Sequence, residues 1–234
     1  MIKTKGIYTL PPLRGRVGVG LFFLLFFVVA HAQQQEETTS ADNTYAEMTI
    51  EQQFDKASEY MSNEKWQAAK NIYDSILRIS PENLRALYFR AYANERLFHL
   101  GLARADYDAI LKKEPVNYHA LSGRAILNQK DSHNTEALDD ANLLVEQYPD
   151  SVNAWVIRAN IEEELGQLSL AEFDYLQAYN LNTSNKDYIL HAIDLQLRQK
   201  KKSDAKRNLN ALVKAGVPKN SLLHYFKRVN LRNP

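Results

Sequence analysis

AILKKEPVNYHALSGRA, Ala109 to Ala125, sets the helical register of the whole chain. A helical pattern runs up to the residues before Pro115 and restarts at Tyr118. Proline cannot extend the helix before it and biases its own neighbour out of helical geometry. Asn117 is a good N-cap for a helix opening at Tyr118. One helical hairpin closes here and the next one opens.

On either side of this stretch the same punctuation recurs, because Pro81, Pro115 and Pro149 are evenly spaced. With this proline as position 32, the units are 50–83, 84–117, 118–151, 152–185 and 186–219. Position 20 is then Ala69, Ala103, Ala137, Ala171 and Ala205. Position 8 is Ala57, Ala91, Ala125 and Ala159, then Ile193. Positions 24 and 27 are large and apolar in most units, as in Tyr73, Tyr107, Tyr175, Ile76 and Ile110. Each unit holds two runs with apolar residues at three- and four-residue steps, one face of a helix each. Small residues at positions 8 and 20 let the two helices cross closely, where a larger side chain would overpack. Asn83, Asn117, Ser151 and Asn185 stand ready to cap the next unit's first helix.

This pattern resembles the tetratricopeptide repeat family over Ile50 to about Lys219. Unit 4 fits best, with Trp155, Ala159, Leu165–Gly166, Leu168, Ala171, Tyr175 and Ala178 in the family's slots. Unit 3 departs at Asp131 and Asn134, and unit 5 is the loosest, with Ile193 at position 8. The resemblance implies an all-α, right-handed superhelical solenoid of five hairpins over 46–219, closed by a capping helix and basic tail at 220–234. Leu222, Leu223 and Phe226 are expected to cover the end of the stack, with Lys227 and Arg228 outward.

The head of the chain differs. Residues 1–32 carry Lys3, Lys5, Arg14 and Arg16, then a 14-residue apolar run from Val17 to Ala30, then Ala-His-Ala. That is the plan of a secretory signal peptide cut between Ala32 and Gln33. The run falls short of the ~20 residues of a spanning helix. An uncleaved signal anchor that tethers the chain to a membrane is the alternative. Residues 33–45 read as a flexible linker. With no cysteine, disulfides, thiolate chemistry and a lipoprotein anchor are excluded. The expected location is exported, periplasmic in style.

No catalytic constellation stands out. His99, His119, His133, His191 and His224 form no metal-binding or triad spacing. Glu162 to Glu164 read as a solvated helix face, and there is no glycine-rich phosphate loop. No enzyme activity, cofactor or metal is expected.

The resemblance places positions 2, 5, 9, 12 and 13 of each first helix on a concave groove that holds another protein. The candidate contacts are Arg85, Tyr88, Tyr92, Arg96, His119, Gln129, Asn153, Asn160 and Glu163. Tyrosine and arginine are enriched at binding hot spots, which favours Tyr88, Tyr92 and Arg96. A second reading has the two tyrosines packing between units. The lysine and asparagine of the family's chaperone-tail clamp are Phe54 and Ser58 here, so that clamp is missing.

Charge is the last oddity. Residues 198–234 hold 11 Lys or Arg and one acid, Asp204, whereas residues 33–197 carry a net charge of −13. The basic surface comprises Arg198, Lys200, Lys201, Lys202, Lys206, Arg207, Lys227 and Arg228. It has three readings: contact with an anionic membrane surface, head-to-tail docking on another copy's acidic body, or plain solvation. Nucleic acid is not an expected partner of an exported chain. The oligomeric state stays open.

Overall fold

The computed structural model describes Tyr45 and residues 48–230. The expected signal peptide, the cleavage point after Ala32, linker residues 33–44 and the final residues 231–234 lie outside the described residues.

From Ile50 onward the chain is a run of helices. Five hairpins follow one another: α1 (Ile50–Ser62) with α2 (Trp66–Ile79), α3 (Leu84–Arg96) with α4 (Leu100–Lys113), α5 (Tyr118–Lys130) with α6 (Asn134–Gln147), α7 (Val152–Glu164) with α8 (Leu168–Leu181), and α9 (Asp187–Arg198) with α10 (Lys202–Lys214). A 3₁₀ turn, Lys219–Leu222, leads into α11 (Leu223–Asn230). There is no strand among the described residues. Each helix packs on its neighbours in sequence. First helices also touch across units: α3 meets α5, α5 meets α7, and α9 meets α11. That puts the first helices on the inner side of a right-handed superhelical solenoid.

The helix ends follow from local chemistry. Asn83, Asn117 and Ser151 each accept a hydrogen bond from the backbone N–H three residues on, at Ala86, Ala120 and Ala154. Asn185 departs from the expected cap. Helix α9 starts at Asp187 with Lys186 in the cap position, and Asn185 instead accepts from Asp187 N at 3.0 Å in a tight turn. The turn inside each hairpin is the same five times. Glu64, Phe98, Ser132, Gly166 and Lys200 all take positive φ, between 56° and 74°. The next residue's N–H returns 2.8 Å to the carbonyl five residues back, as from His99 to Asn94 and from Gln167 to Glu162. This is the Schellman ending, whose left-handed residue is best made by glycine. Only Gly166 supplies one. A left-handed backbone costs an L-residue ~1–2 kcal/mol. Phe98 is 86% exposed, so its ring recovers little of that. Phe98→Gly is therefore expected to stabilise the chain by up to ~1 kcal/mol, read as a higher midpoint in urea. An unchanged or lower midpoint would show that the ring has a contact of its own to lose.

The core is built at positions 8, 20, 24 and 27. The ten residues at positions 8 and 20, from Ala57 to Ala205, have no exposed surface. Ala159, Ala171 and Tyr175 share one cluster with Ala192 and Leu195 of the next unit, so no unit closes its core alone. Trp155, in one of the repeat slots of unit 4, is only half-buried: it meets Phe173 edge-on at 6.2 Å and donates to Pro149 O at 2.7 Å.

Position 24 of one unit and position 6 of the next are matched in size. Phe89 stacks on Tyr73 at 5.9 Å and 17°, and His191 on Tyr175 at 5.0 Å and 14°. Against Tyr107 the residue is Gly123, where a Cβ would lie 2.5 Å from the Tyr107 ring. That ring is 1% exposed, and its hydroxyl donates to Glu95 at 2.7 Å, so it has little room to move. Gly123→Ala is expected to cost ~1–3 kcal/mol, or roughly 2–12 °C of melting temperature for a domain of this size. A variant melting with the wild type would mean that the ring yields freely.

Candidate functional site

The inner face is formed by successive first helices, and neighbouring units stitch it laterally. Arg85 pairs with Glu51 at 3.1 Å, and its guanidinium lies 3.9 Å from the Phe54 ring centre. Lys130 reaches Glu95 at 3.4 Å, Gln129 donates to Glu164 at 2.7 Å, and Arg198 pairs with Glu163. Partners in these pairs stand 34 or 35 residues apart. The period of the repeat therefore brings like positions side by side on one surface.

The sequence-derived candidates divide within this face. Tyr92 is 37% exposed. It meets the Trp66 ring edge-on at 5.9 Å, while the exposed Arg96 holds its guanidinium 4.9 Å from the same ring. Tyr88 instead packs sideways, half-buried, within 6.2 Å of the rings of Phe89, Tyr107 and His119. Burial pushes its hydroxyl above the ordinary tyrosine value. His119 is exposed beside it. Asn153 and Asn160 are exposed further along the face, and Asn160 accepts from Tyr175 Oη at 2.6 Å. Tyr92 and Arg96 are thus presented outward, whereas Tyr88 serves the packing between two units.

The sequence reading missed a ladder between the hairpins. Arg90 holds Asp106 with two hydrogen bonds, at 2.6 and 2.9 Å, and Asp74 with a third at 2.8 Å. Arg124 repeats this on Asp140, at 2.7 and 2.9 Å, and on Asp108 at 2.6 Å. Arg158 repeats it on Asp174, at 2.6 and 2.9 Å, with Asn142 at 3.2 Å in the third place. Each arginine grips its own unit's second helix and the preceding unit's second helix. Asp106, Asp140 and Asp174 are buried. The signal was present as an acid or amide 16 residues before and an acid 16 residues after each arginine.

A second polar column runs beside it at position 11. Asn94, Asn128, Glu162 and Gln196 are all buried. Asn128 accepts from Arg104 Nε at 2.8 Å, and Gln196 donates to Glu172 at 2.9 Å. The residue equivalent to Arg104 and Glu172 in the unit between them is Leu138. Glu162 lacks that polar neighbour, and its Oε2 has no hydrogen-bond partner among the described residues. The expectation of a solvated face at Glu162 to Glu164 is corrected here. Glu162 is 4% exposed, Glu163 is half-buried and paired with Arg198, and only Glu164 is exposed.

The basic end is partly neutralised within the chain. Arg198 pairs with Glu163, Lys201 with Glu172 at 2.8 Å, Arg207 with Asp204 at 2.8 Å, and Arg228 with Asp194 at 2.5 Å. Lys200, Lys206 and Lys227 are exposed, and Lys202 is half-buried. Arg228 was expected to point outward, but it turns back onto α9. Leu223 was expected to cover the stack and is 44% exposed, while Leu222 and Val229 fill that role. Among the described residues, no group of three or more acids or histidines is placed to hold a metal ion, and no helix is long and apolar enough to cross a membrane.

Comparison with known proteins agrees with this architecture. A family model for the tetratricopeptide repeat matches residues 54–97. No curated protein matches the chain. Among solved structures, MamA 41-end from Desulfovibrio magneticus RS-1 aligns with a TM-score of 0.63 and 16% identity, covering 70% of this chain and 93% of that one. A tetratricopeptide repeat protein from Parabacteroides merdae aligns at 0.56 and 22% identity, covering 86% and 79%. YrrB, described as a tetratricopeptide repeat protein with an unusual peptide-binding site, aligns at 0.60 and 16% identity, covering 81% and 97%. At these identities the likeness is one of fold.

Proposed function

We propose that this chain is a tetratricopeptide repeat protein acting as a non-catalytic interaction module: an exported adaptor or scaffold whose inner face holds an extended or helical segment of another envelope protein. The observation that carries the reading is the Trp66–Tyr92–Arg96 cluster, in which Tyr92 and Arg96 of α3 meet Trp66 at the start of α2. It combines an exposed tyrosine, an exposed arginine and a tryptophan ring between them. These are the side chains most enriched at hot spots. The lateral ion pairs and the buried ladder hold the face in place before a partner arrives, which lowers the ordering cost of binding. The peptide-binding site named for YrrB supports a peptide segment as the kind of partner. Export rests on the basic, apolar and Ala-His-Ala pattern of residues 1–32; amino-terminal sequencing of the protein from its host should then begin at Gln33.

The binding reading is tested by cross-linking in living host cells, comparing the tagged chain with a Tyr92→Ala/Arg96→Ala variant. Tyr88 is left intact because its loss would disturb the packing against Tyr107. The expected result is an envelope protein captured by the wild type and reduced at least tenfold in the variant. Equal capture by both would place the working surface elsewhere.

A further inference from the structure

The repeat register does not stop at unit 5. Counted from residue 220 as position 1, α11 runs from position 4 to position 11 of a sixth first helix. Its inward contacts obey the frame. Val229 is buried at position 10, as Ala93, Leu127, Ile161 and Leu195 are. Arg228 pairs with Asp194, its equivalent one unit earlier.

Its other face breaks the frame. In the preceding units that face is covered by second helices. At position 11 these are the preceding unit's as well as the unit's own, as Gln196 shows with Glu172 and Asn208. Trp155, at position 4 of unit 4, is half-buried. Position 4 is buried as Leu87, Leu121 and Ile189, yet Leu223 is 44% exposed. Position 8 is a fully buried alanine or isoleucine in all five units, yet here it is the exposed Lys227. Position 11 is buried in units 2 to 5, yet Asn230 is exposed. These residues, with Phe226 and Lys219, line an open groove of about 530 Å³. Lys219 Nζ lies 5.5 Å from the centre of the Phe226 ring.

We infer that this groove is a second docking site, taking an amphipathic helix of a partner protein that carries an acidic residue followed by apolar residues three, four and seven positions later. The pattern is read from the units that are complete. Their second helices present alanine at position 20 to the small residue at position 8, acid at position 23 to the arginine at position 7, and mostly apolar residues at positions 24 and 27. In α11 the alanine slot holds Lys227, which calls for an acid opposite. The arginine slot holds Phe226, which calls for an apolar residue where the acid was. Helix-in-groove recognition uses this spacing of anchors. A second copy is disfavoured as occupant. Two α11 helices would bring Lys219 and Lys227 against their own kind, and the exposed side of α1 presents Glu51, Gln52, Asp55 and Glu59 and no apolar ridge.

The test uses a fluorescein-labelled peptide with the sequence of Asn134–Gln147 carrying Ala137→Glu and Asp140→Leu. This keeps Ala141 and Leu144 and has the required spacing. Fluorescence anisotropy against the full chain is expected to saturate. Lys227→Glu and Leu223→Asp, both at exposed positions, are each expected to weaken binding at least tenfold without moving the thermal melt. A peptide with lysine in place of the new glutamate should recover binding to Lys227→Glu. The inference is overturned by absence of saturable binding to the wild type, by equal affinity for the variants, or by Tyr92→Ala and not Leu223→Asp abolishing it. It is also overturned if sedimentation shows the chain alone forming a dimer that Leu223→Asp dissociates, because the face would then belong to a second copy. The adaptor reading is tested separately on the inner face and survives any of these results.

Discussion

An Arg124→Ala variant is expected to unfold with ~3 kcal/mol less stability than the wild type, a melting temperature lower by roughly 6–12 °C. Removing one partner of a buried ion pair leaves the other charge without compensation, at a cost of ~3–5 kcal/mol. The low end applies because the Arg124 side chain is 27% exposed, although Asp140 is only 7% exposed. Burial already pushes the Asp140 carboxyl above its ordinary value, and Arg124 is what opposes that shift. Arg124 also ties Asp108 of the preceding unit at 2.6 Å, so the loss should reach the junction of units 2 and 3. Chemical denaturation gives the number. Asp140→Ala on the Arg124→Ala background should recover part of the loss, because the orphaned charge goes with it. A loss below ~1 kcal/mol would place the clamp among ordinary surface pairs.

The second large effect depends on pH. The Glu162 carboxyl is pushed up from 4.5 to about 7. Burial is the main cause, the nearby Asp174 carboxylate adds to it, and Arg158 opposes it. The folded chain therefore holds a proton on Glu162 that the unfolded chain has released over the window from about 4.5 to about 7. Stability from this group is full below 4.5 and falls as pH rises through 7. At pH 8 the ionised side chain costs on the order of 3 kcal/mol, because the rise from 4.5 to about 7 is worth ~1.36 kcal/mol for each whole pKa step. Glu162→Gln keeps the shape and removes the charge. It is expected to be more stable than the wild type at pH 8 and nearly equal at pH 4.5, measured by urea midpoints at the two values. A difference independent of pH would show that Glu162 does not titrate in this window.

These two sites also mark the limit of what the residues disclosed. Evenly spaced prolines and alanine at position 20 revealed the hairpins, because a proline must end a helix and a crossing must have small residues whatever surrounds them. The arginine ladder is equally periodic, but its partners are 16 residues away, on a different helix and in two different units. That offset means nothing until the hairpin turn fixes which side of α4 or α6 faces the arginine. Glu162 was misread for a related reason. Its neighbours Glu163 and Glu164 suggest a wet surface, yet position 11 points inward in each of units 2 to 5. With Leu138 at the neighbouring position, Glu162 Oε2 has no hydrogen-bond partner among the described residues, and Arg158 Nε lies 3.8 Å from its Oε1. On the inner face, residue type singled out Tyr88 and Tyr92 together. It did not separate them, because Tyr88 turns sideways into Tyr107 and His119 and Tyr92 does not.

Whether a partner binds the inner face can be settled by site-specific photo-cross-linking. A photoreactive phenylalanine replaces Tyr92 in one strain and the 53% exposed Leu170, on the second helix α8, in another. Both strains are irradiated in the living host, and adducts are mapped by mass spectrometry. Binding on the inner face predicts an adduct to one defined segment of another envelope protein from position 92 and none from position 170. The same adduct from both positions, or an adduct from position 170 alone, would contradict it.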